Sequence, residues 1–251
     1  MKTYELYEKL NELIPESLSC EWDNDGLSVL PDVDHESKRI LISLDVREEV
    51  IDYAIENEFD TIITHHPLIF SKLGELNGSS VPSKKALRLV REDIAAMSFH
   101  TRFDAIEGGV SDVLCRFLGG LEPYAAFGEG NCGRLCNMEV EDFDSFAERL
   151  KNKFGSAHFF CEKATDTVER VAVCSGAGAD FTPDALALGA DTIVCGEMGY
   201  HAAIDAADEG LNVICVGHYE SEVASLARLC ELVTGVCDEY VEIYGVTQHV
   251  V

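Results

Sequence analysis

The sequence lacks the features of a membrane or secreted protein. No apolar run in the 251-residue chain approaches the roughly 18 residues that a spanning helix needs. The first 14 residues are charged and amphipathic, whereas a secretory signal has a continuous apolar core. We therefore expect a cytoplasmic protein that does not associate with a membrane.

Positive charge is scarce. The chain has 19 Lys and Arg residues against 46 Asp and Glu residues, which gives 19 − 46 = −27. The isoelectric point is near 4.4. A surface of this sign repels phosphate backbones and anionic lipids. We therefore expect no nucleic-acid partner, and most of the acidic excess is expected to be solvated surface.

A Cys-x-x-Cys pair is also absent, although the chain has ten cysteines. Most of them lie in apolar stretches predicted to be strands or helices, where a reduced thiol behaves as a small buried hydrophobe. The nearest pair, Cys132 and Cys136, is only a weak metal signal. A Cys-His nucleophile built on Cys195 or Cys215 remains a minor alternative, because buried thiols are inert by default.

The chain does contain short apolar runs that alternate with amphipathic stretches. This alternation predicts an α/β fold of two similar βαβ-based domains, with parallel strands and right-handed crossovers. The predicted strands that matter most are 39–45, 60–64, 94–99, 169–174, 191–195, 212–216 and 240–245. The predicted division is a first α/β half (1–126), a connecting segment or small insertion (127–168), and a second α/β half (169–251).

The two halves align without a gap at an offset of 131 residues, where the strand from Arg39 falls on the strand from Arg170. At an offset of 118, His100-x₃-Asp104 falls on His218-x₃-Glu222. Common βαβ patterning is the alternative explanation. If the repeat is genuine, each half brings a histidine and a carboxylate to the end of a strand.

Histidines follow the predicted strand 60–64 directly. The apolar run ends in His65-His66-Pro67, and Pro67 restricts His66 to extended conformations. Carboxyl ends of strands in α/β proteins are where ligands and metals usually bind. From this stretch alone, two solvent-facing loop histidines are an equally good interpretation.

Polar residues at four predicted strand ends together match the ligand set of a two-metal site. They are His65, His66, His100, Asp104, Glu197, His218 and Glu222. Imidazole nitrogen and carboxylate oxygen without thiolate suit two divalent ions such as Zn, Fe, Mn or Ni. Two cations that share a water oxygen lower its pKa and make a nucleophile. Isolated structural histidines with hydrogen-bonded rings are the alternative.

Two further features have structural explanations. Trp22, the only tryptophan, lies in a polar turn and is expected to be a packing anchor. Ser175-Gly176-Ala177-Gly178 resembles a phosphate-binding turn, but it lacks the complete G-x-G-x-x-G pattern and a P-loop lysine. A tight strand-to-helix turn explains these glycines equally well.

Five ordered motifs carry a resemblance that runs nearly end to end. They are Trp22-Asp23-Asn24-x-Gly26-Leu27, Thr64-His65-His66-Pro67, His100-Thr101-x-x-Asp104 with Gly108-Gly109, Gly196-Glu197 with His201, and Gly217-His218-Tyr219-Glu220-Ser221-Glu222. With these motifs the chain resembles the GTP cyclohydrolase I type 2 homologues, the Nif-three-like proteins. The resemblance implies two similar α/β domains with a dinuclear metal site in the crevice between them, and a toroidal homo-hexamer.

The resemblance also implies roles for individual residues. The implied metal ligands are His65, His66, Asp104, His218 and Glu222, with Glu222 bridging the two ions. His100 is then a nearby non-ligand that moves protons or supports the ligands. Glu197 and His201 are expected to line the same pocket. Cys195 departs from the family pattern, which often has Thr or Ser before Gly-Glu.

The resemblance fixes a site more firmly than a reaction. The first hypothesis is a metal-dependent hydrolase of a nucleotide or another small substrate, acting on a C–N or phosphoester bond, with His100 and Glu197 as the catalytic proton carriers. The alternative is a non-catalytic hexamer that binds metal and acts as a regulator, chaperone or scaffold. Fold and metal alone do not select between them.

Overall fold

A computed structural model describes residues 1–119 and 122–245, which form a mixed α/β fold with two β-sheets. The strands are β1 (Gly26–Val29), β2 (Arg39–Ser43), β3 (Thr61–Thr64), β4 (Ala95–Ser98), β5 (Ala125–Phe127), β6 (Gly133–Asp142), β7 (Phe160–Glu162), β8 (Thr167–Ala177), β9 (Thr192–Glu197), β10 (Asn212–Cys215) and β11 (Tyr240–Ile243). The α-helices are α1 (Thr3–Leu13), α2 (Glu48–Glu56), α3 (Val81–Arg91), α4 (Thr101–Ala105), α5 (Val110–Phe117), α6 (Phe143–Phe154), α7 (Thr182–Ala187), α8 (Tyr200–Asp208), α9 (His218–Glu222) and α10 (Ser225–Val236). None of the helices in these ranges is long and apolar enough to cross a bilayer.

The described residues group into two compact units, 1–103 with 226–245 and 104–225. This grouping differs from the linear division into 1–126, 127–168 and 169–251. The reason is that β11 forms main-chain hydrogen bonds with β2, with Val241 opposite Ile40, which returns the end of the chain to the first unit. Residues 246–251 of the predicted second half lie outside the described residues.

The sheet of the first unit has the order β1-β4-β3-β2-β11. Strand β3 lies between the parallel strands β2 and β4, and all four of its residues are buried. This position explains why a strand so short is continuously apolar or hydroxyl-bearing. Thr64 pairs with Ser98, so β3 and β4 end at the same edge of the sheet. The residues that follow these strands therefore emerge side by side.

The sheet of the second unit has the order β5-β6-β8-β9-β10-β7. Strands β8, β9 and β10 are parallel, while β6 and β7 flank them in antiparallel pairing. The predicted connecting segment 127–168 thus supplies β6 and β7 to this sheet. Alternate residues of β8 enter two different core clusters, Val171 and Val173 in one and Ala172 and Cys174 in the other.

Both units contain the same local arrangement at the predicted offset of 131. The carboxylate of Asp60 accepts a hydrogen bond from the main-chain N–H of Arg39 at 3.1 Å. The carboxylate of Asp191 accepts the equivalent bond from Arg170 at 2.7 Å. In each case the carboxylate of an aspartate just before one parallel strand accepts a hydrogen bond from the first residues of the neighbouring strand.

Candidate functional site

His65 and His66 follow β3 with defined ring orientations. His65 is buried, and its Nδ1 lies 3.0 Å from the carbonyl oxygen of Phe99. Because a carbonyl only accepts, Nδ1 carries the proton and Nε2 carries the lone pair. Nδ1 of His66 lies 2.9 Å from Oδ1 of Asp45, and an ionised carboxylate selects the same tautomer. Both rings therefore present Nε2 as the metal-binding atom.

His100, which follows β4, lies beside these two rings. Its ring centroid is 5.3 Å from that of His65 and 5.6 Å from that of His66. One nitrogen from each of the three rings lies within 4.8 Å of the others. We call His65, His66 and His100 the histidine cluster. Three converging imidazoles fit a borderline divalent cation such as Zn, Fe or Ni.

The turn before β1 fixes His100 through two aspartates. Asp23 accepts from Nδ1 of His100 at 3.0 Å and from the hydroxyl of Thr101 at 2.6 Å. Asp25 accepts one hydrogen bond from the main-chain N–H of His100 at 2.9 Å and another from Nε of the buried Arg102 at 2.7 Å. Burial alone would raise the pKa of Asp23, but the His100 and Thr101 hydrogen bonds outweigh it and hold that pKa well below its usual range.

Trp22 is not the packing anchor that the sequence suggested. Trp22 is 52% exposed, and the hydrogen bonds that hold this turn to His100 are accepted by Asp23 and Asp25. The indole ring lies 6.0 Å from the ring of Phe70, which is also half exposed, and 6.1 Å from that of His100. Trp22 and Phe70, here called the aromatic pair, form an accessible apolar surface at the histidine cluster.

In the second unit, α9 carries two predicted site residues four positions apart. Nε2 of His218 lies 3.4 Å from Oε1 of Glu222, and Nδ1 of His218 lies 3.2 Å from Oε1 of Glu197. Glu222 is buried, while His218 and Glu197 are partly exposed. His218 therefore lies between the carboxylates of Glu197 and Glu222. His201, which the resemblance places in the same pocket, is exposed on α8.

The irregular last residues of β8, where its pairing with β9 shifts register, allow the close packing of α9. Gly176 has φ +64°, and a Cβ atom there would lie 2.7 Å from Oε1 of Glu222. The hydroxyl of Ser221 accepts from the N–H of Gly176 at 3.1 Å and donates to the carbonyl of His218 at 2.7 Å. Gly176 therefore serves close packing against α9, and Gly178 serves close packing against Cys195 of β9, so both glycines have a structural explanation.

Asp104 is positioned at the end of α4 by a buried arginine. Nη2 of Arg134 donates to the carbonyl oxygens of Ala105 at 2.8 Å and Ile106 at 2.9 Å, while its Nε donates to Asp112 at 2.9 Å. The hydroxyl of Ser175 donates to Oδ1 of Asp104 at 3.1 Å. These contacts fix both the backbone and the carboxylate of Asp104.

Comparison with known proteins assigns the chain to a family. A family model described as Duf34/NIF3 (NGG1p interacting factor 3) matches residues 1–249. The chain belongs to the Duf34/NIF3 family.

Named members of the Duf34/NIF3 family match over most of their length. A GTP cyclohydrolase 1 type 2 homolog of Clostridium perfringens is 31% identical over 249 residues, which covers 96% of this chain and 95% of that protein. A GTP cyclohydrolase 1 type 2 of Helicobacter pylori is 32% identical over 220 residues, covering 87% of this chain and 86% of that protein. The crystal structure of Staphylococcus aureus hypothetical protein SA1388 shares the fold, with TM-score 0.87, 24% identity and coverage of 99% and 98%.

Several contacts at the site escaped the sequence reasoning. Asp45 and Asp23 were visible as acidic residues at a predicted strand end and in a polar turn, and both proved to orient histidines. Ser175 lay in the turn considered for phosphate binding. Arg134 gave no signal, because a single arginine in a predicted strand does not reveal that it is buried.

Proposed function

We propose that this protein is a metal-dependent hydrolase of a nucleotide or another small phosphorylated or cyclic-amide substrate. The observation that carries the proposal is the histidine cluster, in which oxygen acceptors at Nδ1 leave Nε2 of His65 and of His66 to bind metal. Family membership supports it, because relatives carry the name GTP cyclohydrolase 1 type 2 or homologue of it.

The proposed ligands of two divalent ions are the five residues that the resemblance implies. They are His65, His66, Asp104, His218 and Glu222. Nitrogen and carboxylate donors without thiolate favour Zn, Fe, Mn or Ni. Bound ions of this kind supply Lewis-acid polarisation and an activated water. Within this scheme the hydrogen bonds from Phe99 and Asp45 hold His65 and His66 in the ligating tautomer.

His100 and Glu197 are the proposed proton carriers. The Asp23 carboxylate, kept ionised by its hydrogen bonds, faces Nδ1 of His100 and would stabilise the imidazolium that forms when Nε2 takes a proton. Glu197 is 63% exposed at its side chain, so it can exchange a proton with solvent, and it lies 3.2 Å from His218. These positions suit residues that move protons without holding the ions.

The aromatic pair gives the proposed substrate a place to stack. Trp22 and Phe70 are both about half exposed beside the histidine cluster. Planar heteroaromatic rings stack on such side chains whatever their hydrogen-bonding edge. A nucleobase is therefore the substrate moiety that this surface favours, which agrees with a nucleotide rather than an aliphatic substrate.

The family resemblance also leads us to propose a homo-hexamer that works in the cytoplasm. All ten cysteines lie in the described part of the chain and none forms a disulfide there, which suits a reducing compartment. Light scattering coupled to size-exclusion chromatography tests the assembly. A monomer at micromolar concentration would contradict it.

Elemental analysis of the purified protein tests the metal site. Parent protein loaded in metal-replete buffer is expected to hold about two ions per chain, and His66→Ala and Glu222→Ala are expected to lose most of them. His158→Ala, which removes an exposed histidine outside the proposed ligand set, is the matched control and is expected to keep both. Fewer than one ion per chain in the parent would overturn the dinuclear proposal.

Turnover assays with His100→Ala separate chemistry from metal binding. We expect this variant to keep its ions but to hydrolyse nucleotides at least tenfold more slowly. General acid–base catalysis typically raises a reaction rate by roughly 10²–10⁴-fold. Loss of metal instead would make His100 a ligand. A metal-loaded parent that binds nucleotides without any turnover would favour the non-catalytic alternative.

A further inference from the structure

Three cysteines stand in a row across the parallel strands of the second unit. Cys174 of β8 is opposite Cys195 of β9, which is in turn opposite Cys215 of β10. All three enter the same core cluster, so their side chains share one face of the sheet. None of them takes part in the metal chemistry proposed above.

Cys195 and Cys215 are close enough to react with each other. Their sulfur atoms lie 3.7 Å apart. Neighbouring strands place opposed Cα atoms roughly 4.8 Å apart, which is within the range of about 4.4–6.8 Å found across disulfides. We propose that Cys195 and Cys215 form a reversible dithiol–disulfide pair that is oxidised by hydroperoxides.

Cys215 is the thiol of the pair that borders a cleft, although it is only 3% exposed. It lines a cleft of about 530 Å³ together with Glu197, Glu220 and His218, whereas Cys195 is completely buried. A hydrogen bond from the Cys195 thiol lowers the pKa of Cys215 against the opposing effect of burial, and the N–H of Met198 acts in the same direction. Cys215 is therefore the attacking sulfur and Cys195 the resolving one.

The cleft favours a small neutral oxidant. Glu197 and Glu220 lie in its wall, so an anionic low-molecular-weight disulfide would be repelled. The Cys215 thiolate attacks one oxygen of hydrogen peroxide and the O–O bond breaks. Cys215 becomes a sulfenic acid, and the hydroxide that departs takes up the proton released by the thiol and leaves as water. The Cys195 thiol then attacks the sulfenic sulfur and releases a second water. Overall, two thiols and one hydrogen peroxide give one disulfide and two waters.

A second thiol pair in the same unit provides an internal control. Cys115 and Cys136 are hydrogen-bonded to each other and are both completely buried in the other core cluster. Their hydrogen bond and burial raise the pKa of Cys115. This pair is hydrogen-bonded like the first pair, but both of its members are completely buried, so it is expected to stay reduced. Cys161 is the exposed cysteine and must be replaced by serine in the test protein.

The experiment treats full-length Cys161→Ser protein with hydrogen peroxide and maps its cysteines by mass spectrometry under non-reducing conditions. Most molecules are expected to lose two hydrogen atoms, with a Cys195–Cys215 linked peptide and reversal by dithiothreitol. In a Cys195→Ser background, Cys215 is expected to stop at a sulfenic acid that reacts with dimedone. In a Cys215→Ser background, no linked peptide is expected.

Three results would overturn the proposal. They are oxidation of Cys115 and Cys136 at an equal rate, a Cys174–Cys195 link in place of the proposed one, and conversion of Cys215 to sulfinic acid while Cys195 stays reduced. Circular dichroism of each serine variant before treatment confirms that it is folded. The readout is covalent, so it does not depend on metal content or on hydrolase activity.

Discussion

Oδ1 of Asp45 lies 2.9 Å from Nδ1 of His66 and orients that ring. Asp45→Ala removes the acceptor, so the His66 ring is expected to lose its fixed orientation and its Nε2 is expected to become less basic. Loss of such a supporting carboxylate typically weakens metal binding by about 10–100-fold. Competition with a chromophoric chelator measures the change. Asp52→Ala, which removes an exposed carboxylate that pairs with Arg88, is the control and should leave affinity unaltered.

Gly176→Ala is expected to damage the site more than it strains the backbone. Gly176 and Gly155 have similar φ angles of +64° and +60°, but a Cβ at Gly155 would meet nothing within 4 Å. Gly155→Ala should therefore cost only the left-handed backbone penalty of about 1–2 kcal/mol. Gly176→Ala adds a clash with Glu222 and should also lower the metal content. Equal metal content in the two variants would contradict the close-packing role.

Arg134→Met should destabilise the protein strongly. The substitution leaves Asp112 buried without its charge partner and removes the donors to Ala105 and Ile106. Breaking a buried ion pair from one side costs about 3–5 kcal/mol. Urea unfolding measures it. The double variant Arg134→Met with Asp112→Leu should recover part of the loss, since no unpaired charge remains, and a full recovery would show that the carbonyl contacts contribute nothing.

Trp22→Ala tests the aromatic pair. Loss of a stacking partner should weaken nucleotide binding by roughly 1–3 kcal/mol, seen as a higher KM with little change in kcat. Tyr4→Ala, which removes another exposed ring of the first unit, is the control. Calorimetry with a nucleotide and with its base-free sugar phosphate separates stacking from phosphate binding. An equal loss for both ligands would rule out base stacking.

The lowered pKa of Asp23 predicts that the free energy of unfolding falls at acidic pH. Because folding lowers this pKa, the stabilisation is fully present above the ordinary value of 3.8 and is lost as the pH falls through the folded value. The difference in unfolding free energy between the parent and Asp23→Asn should therefore be constant at neutral pH and shrink below pH 3.8. Denaturation at a series of pH values measures it.

Local patterns predicted most strands because burial imposes an apolar run whatever the neighbours are. The run before His65 was recognised in this way, and β3 is indeed buried between two parallel strands. The return of β11 to β2 could not be read from sequence, since any parallel edge offers the same main-chain groups. The units therefore differ from a linear division of the chain.

The candidate site was predicted to a similar degree. Residue types and strand ends brought out the histidines and acids, and the structure groups His65, His66 and His100 within one unit. The sequence pattern did not show which groups orient these histidines. Asp45 acts on a histidine 21 positions away and Asp23 on one 77 positions away, so only the folded chain reveals either contact.

The pairing of β11 with β2 has a consequence for synthesis on the ribosome. Every residue of 104–225 is translated before Tyr240–Ile243, whereas the first unit cannot complete its sheet until those residues appear. The second unit can therefore fold ahead of the first, in reverse of the order in which their chains begin. Until then the edge of β2 is open to pairing with a strand of another chain, which is an aggregation hazard during synthesis.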